Sequence, residues 1–359
     1  MPRRATYTET MSVIERRIAA GEYMLKDLPG ERKLAEETGV SYMTARKAVL
    51  ALIDKGVLAR SESGTLTVAP EHEAKSAATT RVALLIPAYP SPYLTYLRRS
   101  VDHATVGKPI QFRAFEYAHW DDGIVKEALD GCDGVVIVPS TEPIPQRVRK
   151  ALTAGPAKAV FLDGDLSELG VPSIRLFPDR HIRGLLDHLA DAGYEPIHCL
   201  NTQGKNPEID RRIDLWRAHI LEHDIDGNLW DDPTPPYEDP MLRAHAAMKH
   251  IIKTTPRPLG AFVCTTQPAA LGAMRACYEA GVEVGRDIAI CTINNEPTGW
   301  YFCPSLTGLE TPDFEPLLHP CFDWFASERP WKGDLIVEPV EIPLFIGEST
   351  TGARVTANR

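Results

Sequence analysis

A chain of 359 residues exceeds one ordinary domain and asks for two or three. Its 43% hydrophobic and 25% charged residues exclude a disordered chain, and no stretch reaches the ~18 uninterrupted apolar residues of a membrane span. The net charge of −10 is unevenly held: residues 1–70 carry 11 Lys and Arg against 9 Asp and Glu, a balance of +2, and the remainder carries 28 against 40. A mildly basic head on an acidic body fits a head that meets a polyanion and a body that does not.

The N-terminal MPRRATYTETMSVIERR is charged and has no apolar h-region, so no secretory signal is expected and the cytoplasm is the expected location. A helix is predicted over Thr8 to Ala20, with Met11, Ile14 and Ile18 at helical spacing. A second starts near Gly30 and turns Leu34 and Ala35 inward. Gly39 permits a sharp turn. A third runs from about Ser41 to Lys55, with Ala45, Ala48, Val49, Leu52 and Ile53 as its apolar stripe. Ser41 is placed to cap it. Then VLAR-SESG-TLTV reads as a hairpin. Helix, short helix, turn, helix, hairpin is the order of a winged helix-turn-helix. Its third helix enters the major groove of DNA N-terminus first. Met43, Arg46 and Lys47 point away from the stripe, Thr44 flanks them, and Tyr42 leads. Arg suits guanine edges or phosphate.

These residues resemble the GntR-type winged helix. LPGERKLA, GVSYMTARKAV and LALIDKGVL match the family's motifs over about Ile14 to Val68. The resemblance places DNA contacts at Arg32, Ser41, Tyr42, Thr44, Arg46 and the wing tip, Ser63 and Gly64. Tyr42 stands where the family commonly has Arg. Gly30 stands where it has Ser, which weakens a helix cap.

The expected domains are a head over 1–69, a linker over 70–80, and a two-lobed body over 81–359. The linker is polar and lacks periodicity. The body alternates apolar runs with helical stretches: RVALLIPA, IQFRAFEY, DGVVIVPS, KAVFLDGD, SIRLF, PIHCLNT, GAFVCTT and DIAICTIN. Such strands indicate parallel sheets covered on both faces, here two doubly wound lobes. The first lobe is expected over about 81–177 and 301–330, the second over 178–300 and 331–359. Ligands bind such sheets beyond the strands' C-terminal ends. Those ends offer Tyr89, Tyr93, Trp120 and Asp163 in the first lobe, with Trp120 a candidate sugar-stacking surface. Trp216, at helical spacing from Ile213 and Ile220, reads as core.

No Gly-x-Ser-x-Gly, GxxxxGK, HExxH or GxGxxG occurs, so no catalysis and no cofactor are expected. The pairs Asp121/Asp122 and Asp231/Asp232 read as solvated turns. The eleven His residues show no metal spacing; His245 and His250 are five apart. The seven Cys residues form no CxxC pair and read as buried reduced thiols.

The body resembles the effector domain of the LacI/GalR repressors, which is similar to periplasmic sugar-binding proteins. LGAFVCTTQPAALGAMRACYEAGVEVGRDIAICTINNEP, CPSLTGLE and GESTTG carry the resemblance, most strongly in the second lobe. It implies a sugar contact at Arg212 in RRIDLW. It also implies cleft roles for Gln267, which with Thr266 replaces an Asn-Asp pair, and for Asn294, which replaces an Asp. A GntR-type head on such a body is similar to the arabinose-responsive repressors. The expected function is a dimeric, cytoplasmic, DNA-binding transcriptional repressor. A sugar-like effector in the interlobe cleft controls its affinity for an operator. The rival readings are a GntR head fused to a catalytic domain and a DNA binder blind to effectors.

Overall fold

A computed structural model describes residues 6–25, 28–61, 64–69, 79–88, 91–235 and 238–351. The head opens with α1 (Tyr7–Ala19), α2 (Glu31–Thr38) and α3 (Tyr42–Asp54), followed by β1 (Leu58–Arg60) and β2 (Leu66–Val68). A capping box starts α1: Thr6 accepts from the Glu9 N–H, and the Glu9 carboxylate accepts from the Thr6 N–H at 2.6 Å. Gly30 begins α2 with no side-chain cap, as its sequence implies. Gly39 then takes the left-handed conformation (φ 67°) that lets the chain turn into α3. Ser41 caps α3 by accepting from the Thr44 N–H at 3.1 Å. The predicted stripe is buried at Ala45, Ala48, Val49 and Leu52, where it meets Met11, Ile14 and Leu34, and Ile53 packs at its margin. β1 and β2 pair antiparallel, Leu58 opposite Val68, as the wing.

The first half of the body runs β3 (Thr80–Pro87), α4 (Pro92–Thr105), β4 (Ile110–Tyr117), α5 (Gly123–Gly131), β5 (Gly134–Ile137), α6 (Gln146–Ala154), β6 (Lys158–Leu162) and β7 (Ser173–Ile174). The second half runs α7 (Asp179–Asp191), β8 (Ile197–Asn201), α8 (Pro207–Glu222), β9 (Leu229–Asp231), α9 (Pro240–Thr254), β10 (Ala261–Cys264), α10 (Gln267–Glu279) and β11 (Ala289–Asn295). It continues with β12 (Thr307–Glu310), α11 (Glu315–Phe325), β13 (Ile336–Val337), β14 (Leu344–Phe345) and α12 (Glu348–Thr351).

Two six-stranded sheets result, ordered β4-β3-β5-β6-β7-β13 and β9-β8-β10-β11-β12-β14. Each repeats one doubly wound order, with the first two strands exchanged. The switch points therefore fall between β3 and β5 and between β8 and β10. Within these two sheets every described pair is parallel except β12 with β14. The inner strands β3, β5, β6, β8, β10 and β11 are buried along both faces, which explains their near-continuous apolar sequences, while the edge strands β4, β9, β13 and β14 are only partly buried.

The lobe limits differ from those expected. β12 pairs within the second sheet, not the first, and β13 pairs within the first, not the second. The chain therefore crosses between sheets three times, after β7, after β12 and after β13. β13 and β14 have two residues each, too short for any alternation to show. SIRLF yields only the two-residue β7, and Leu176 and Phe177 beyond it are buried in the crossing. Trp216 is core, its Nε1 donating to the Ile197 carbonyl at 3.1 Å. Among the described residues no helix is long and apolar enough to cross a membrane.

The head rests on the edge strand β4. Gln111 Nε2 donates to the Ile18 carbonyl at 2.8 Å, and Arg113 lies 3.9 Å from Glu22. Met24 and Leu25 pack against the first-lobe core. A Cβ on Gly21 (φ 70°) would meet Gln111 Cγ at 2.8 Å, so only glycine lets the strand approach there. The contact also covers a sheet edge, whose unpaired backbone groups otherwise invite another chain.

Candidate functional site

Two regions concentrate the expected residues. The first is the leading turn of α3. Ser41, Tyr42, Met43, Arg46 and Lys47 are all exposed there, with Met43 at 67% exposure, and Thr44 is half-buried. The Ser41 hydroxyl also lies 2.8 Å from Thr44 Oγ1, so the two hydroxyls hold each other at the helix end. The first N–H groups of a helix are unpaired, and its dipole favours anions there. Phosphate is thus the natural neighbour of this turn. Arg46 and the exposed Arg32 make no ion pair among the described residues. Lys47 instead sits 4.3 Å over the Tyr7 ring, drawn towards α1. Gly64 (φ 82°) turns the wing, and Ser63 lies outside the described residues. Arg60, not singled out in the sequence, braces the wing: it bonds the Gly64 carbonyl at 3.1 Å and pairs with Glu31 of α2. Its position at the end of β1 was the available signal.

The second region joins the two lobes at the sheets' C-terminal ends. Asp163 follows β6 in the left-handed region (φ 59°), which a short polar side chain tolerates. Tyr93 in the first turn of α4 donates to its Oδ2 at 3.0 Å. Across the gap, Arg212 projects from α8. Its Nη1 donates to the Thr265 carbonyl at 2.8 Å, its Nη2 lies 3.9 Å from Asp163 Oδ1, and its guanidinium lies 5.3 Å from the Phe177 ring centre. Arg212 is 3% exposed, so it is no surface ion-pair partner of Asp210 or Asp214. Two polar atoms remain without hydrogen bonds, Asp163 Oδ1 and Arg212 Nε. Burial raises the Asp163 carboxyl above its usual range, and Arg212 opposes that rise. The neighbouring Arg211, held by Glu208 on its own helix, ties α8 to the crossing through Asp179 and the Phe177 carbonyl at 2.8 Å.

Gln267 and Asn294 meet, but as a brace. The Gln267 N–H donates to Asn294 Oδ1 at 3.2 Å, its Nε2 donates to Thr298 Oγ1 at 2.9 Å, and its Oε1 accepts from the Glu296 N–H at 2.6 Å. Both polar atoms of the Gln267 side chain are therefore engaged. Asn294 is half-buried, and its Nδ2 has no hydrogen bond among the described residues. Glu296 is buried, and burial raises its carboxyl.

Trp120 is not a stacking surface. It is 3% exposed, packs 5.0 Å from the Tyr117 ring, and donates Nε1 to the Glu142 carbonyl at 3.1 Å. The loop after β4 folds inward because Asp122 accepts the N–H groups of Ala118 and His119. Tyr89 lies outside the described residues. Asp231, read as part of a solvated turn, instead ends β9. It joins Asn201 at 2.9 Å and Lys205 at 3.0 Å, while Asn201 accepts from Thr265 Oγ1 at 2.7 Å. This network occupies the second lobe's switch point.

Known proteins align with this division. Residues 6–68 match the family of bacterial regulatory proteins called gntR, and residues 186–313 match the periplasmic binding protein-like domain. Among solved structures, the transcription regulator CcpA of Lactococcus lactis is similar, with a TM-score of 0.63 and 18% identity over 76% of this chain and 100% of that one. A LacI family regulator from Enterococcus faecium with bound ribose gives 0.63 and 16% over 76% and 100%. A LacI family regulator from Mycobacterium smegmatis gives 0.61 and 17% over 75% and 99%. No curated protein matches the chain. The chain is a GntR-type winged helix-turn-helix fused to a periplasmic-binding-protein-like domain with the fold of the LacI-family regulators.

Proposed function

We propose that the protein is a dimeric transcriptional regulator of the cytoplasm, a repressor, whose operator affinity is set by a sugar or sugar derivative bound between the lobes. The observation that carries this reading is the Arg212–Asp163 pair. It spans the lobes and leaves one buried donor and one buried acceptor unpaired. A hydroxyl can accept from Arg212 and donate to Asp163, and so satisfies both. Closure of the lobes on that ligand moves the first sheet, whose edge strand β4 carries the head. A thermal-shift screen of neutral pentoses, hexoses, polyols and uronic acids tests this. A bound ligand at 100 times its dissociation constant adds about 2.7 kcal/mol of stability. If no sugar of any class shifts the melting point, the effector reading fails.

Closure is open to a steric test. Gly204 lies against Thr141 of the opposite lobe, and a Cβ there would meet Thr141 Cγ2 at 2.9 Å. Gly204→Val is therefore expected to wedge the lobes apart and weaken ligand at least tenfold, with operator binding retained. Isothermal titration reads the first and fluorescence anisotropy the second.

The proposed dimer contact lies on α9 and α10. Leu242 is 69% exposed and Tyr278 76%, both large apolar groups facing solvent. His245 and Lys249 of α9 both pair with Glu279 of α10, which sets Leu242 and Tyr278 on neighbouring helix faces. A stable interface needs about 1,600 Å² in total, more than a small winged head offers. Leu242→Glu with Tyr278→Asp is expected to convert the dimer to monomer in sedimentation at micromolar concentration. An unchanged dimer excludes this face.

A further inference from the structure

The second lobe holds a cluster that the sugar cleft does not use. His219 and His223 lie four residues apart on α8 and its C-cap, so they share one helix face. Their ring centres are 4.3 Å apart. Asp187 of α7 faces them, its Oδ1 lying 3.7 Å from His219 Nδ1. One ligating atom from each of the three lies within 4.8 Å of the others. His219 is 1% exposed, and its Nε2 has no hydrogen-bond partner. The ring nitrogen that faces Asp187 is Nδ1, and at 3.7 Å the two are too far apart to hydrogen-bond, which leaves the position between them open to a ligated ion.

We propose that Asp187, His219 and His223 bind a divalent transition-metal ion, Zn²⁺ foremost, which clamps α7 to α8. Two imidazoles and one carboxylate are a nitrogen-rich set. It suits Zn²⁺, Co²⁺ or Ni²⁺ and not the oxygen-seeking Ca²⁺ or Mg²⁺. Zn–N bonds of about 2.0–2.1 Å require the three atoms to draw closer than they stand. His223 and Asp187 are exposed and free to turn towards the fixed His219. The nearest other charges are Arg183 and Glu222, which pair at 3.2 Å and offset each other. The cluster thus keeps the single negative charge of Asp187 for the cation. Glu222 is engaged by Arg183, so the role is structural and not hydrolytic. The clamp sits on the helix that carries Arg212, and it makes the rigidity of that helix metal-dependent.

The test uses chelator-stripped full-length protein titrated with Zn²⁺ against a chromophoric competitor, and with Co²⁺ followed by its d–d absorption. One equivalent is expected to bind, with a rise in melting temperature. His223→Ala and Asp187→Asn, both surface changes, are each expected to weaken that equivalent at least tenfold, and together to abolish it along with the Co²⁺ bands. Cys303→Ser, which alters the exposed cysteine, is expected to leave binding unchanged. Ca²⁺ is expected not to compete. Wild-type affinity retained in both single variants, loss of binding in Cys303→Ser, or no binding by the wild type would each overturn the site.

Discussion

Arg212→Ala is expected to abolish the response to the effector and to leave operator affinity unchanged. Arg212 is the second-lobe residue that reaches Asp163 of the first, and its Nη1 is held by the Thr265 carbonyl at 2.8 Å. Removing it takes away both the donor for a ligand hydroxyl and the charge that draws the lobes together. The fold should survive. Burial already raises the Asp163 carboxyl, so it has a neutral form available once its partner is gone. The head, more than a lobe away in sequence, has its own core around Leu34 and Leu52. Arg212→Lys separates charge from geometry. Lysine keeps the charge but lacks the planar fork that spans Thr265 and Asp163 together, so it should recover only part of the response. The measurement is the ligand-induced shift in melting temperature beside operator anisotropy. An undiminished shift removes Arg212 from the ligand site, and joint loss of fold and operator binding makes it a structural residue.

Arg46→Ala is expected to have the converse effect. Arg46 is exposed on the leading half of α3 and makes no ion pair among the described residues, so its guanidinium is available to a base edge or phosphate. Loss of one base contact costs about 1–3 kcal/mol, roughly a fivefold to more than hundredfold loss of affinity. Preference at one base pair should relax with it. If Arg46 meets only phosphate, affinity falls evenly across sequences and the salt dependence becomes shallower. Operator selection from random DNA, with wild type and variant side by side, tells these apart. The ligand-induced melting shift should not change in this variant. Unchanged operator affinity would remove α3 from the DNA interface.

Local chemistry is what a single chain displays best, and the head is mostly local. Its stripe from Ala45 to Leu52, the Ser41 cap and the Gly39 turn each act within a few residues. In the body, the long strands were legible as buried apolar runs such as RVALLIPA and DGVVIVPS. The two-residue strands β13 and β14 were not, because alternation needs length. Three crossings between lobes were expected, but the second was placed before β12 and the third before β13, whereas they follow those strands. Trp120 was misplaced because its burial depends on a local fold-back held by Asp122 and on the Glu142 carbonyl, which comes from the loop after β5. Gln267 and Asn294 were each expected in the cleft; the engagement of Gln267 by Thr298 and Glu296 was not legible because it depends on the loop that follows β11. The His219/His223 spacing was present in HILEH. Its third member, Asp187, arrives only when α7 packs on α8.

The central claim is that ligand in the cleft and DNA at the head are coupled through one chain. The most direct measurement is the dissociation constant of full-length protein for its selected operator, by fluorescence anisotropy. It is taken with and without the sugar found by thermal shift, for wild type and Arg212→Ala. The account predicts at least a tenfold change in the wild type, about 1.4 kcal/mol of coupling, and none in the variant. A sugar that raises the melting temperature but leaves the wild-type operator constant unchanged would contradict it.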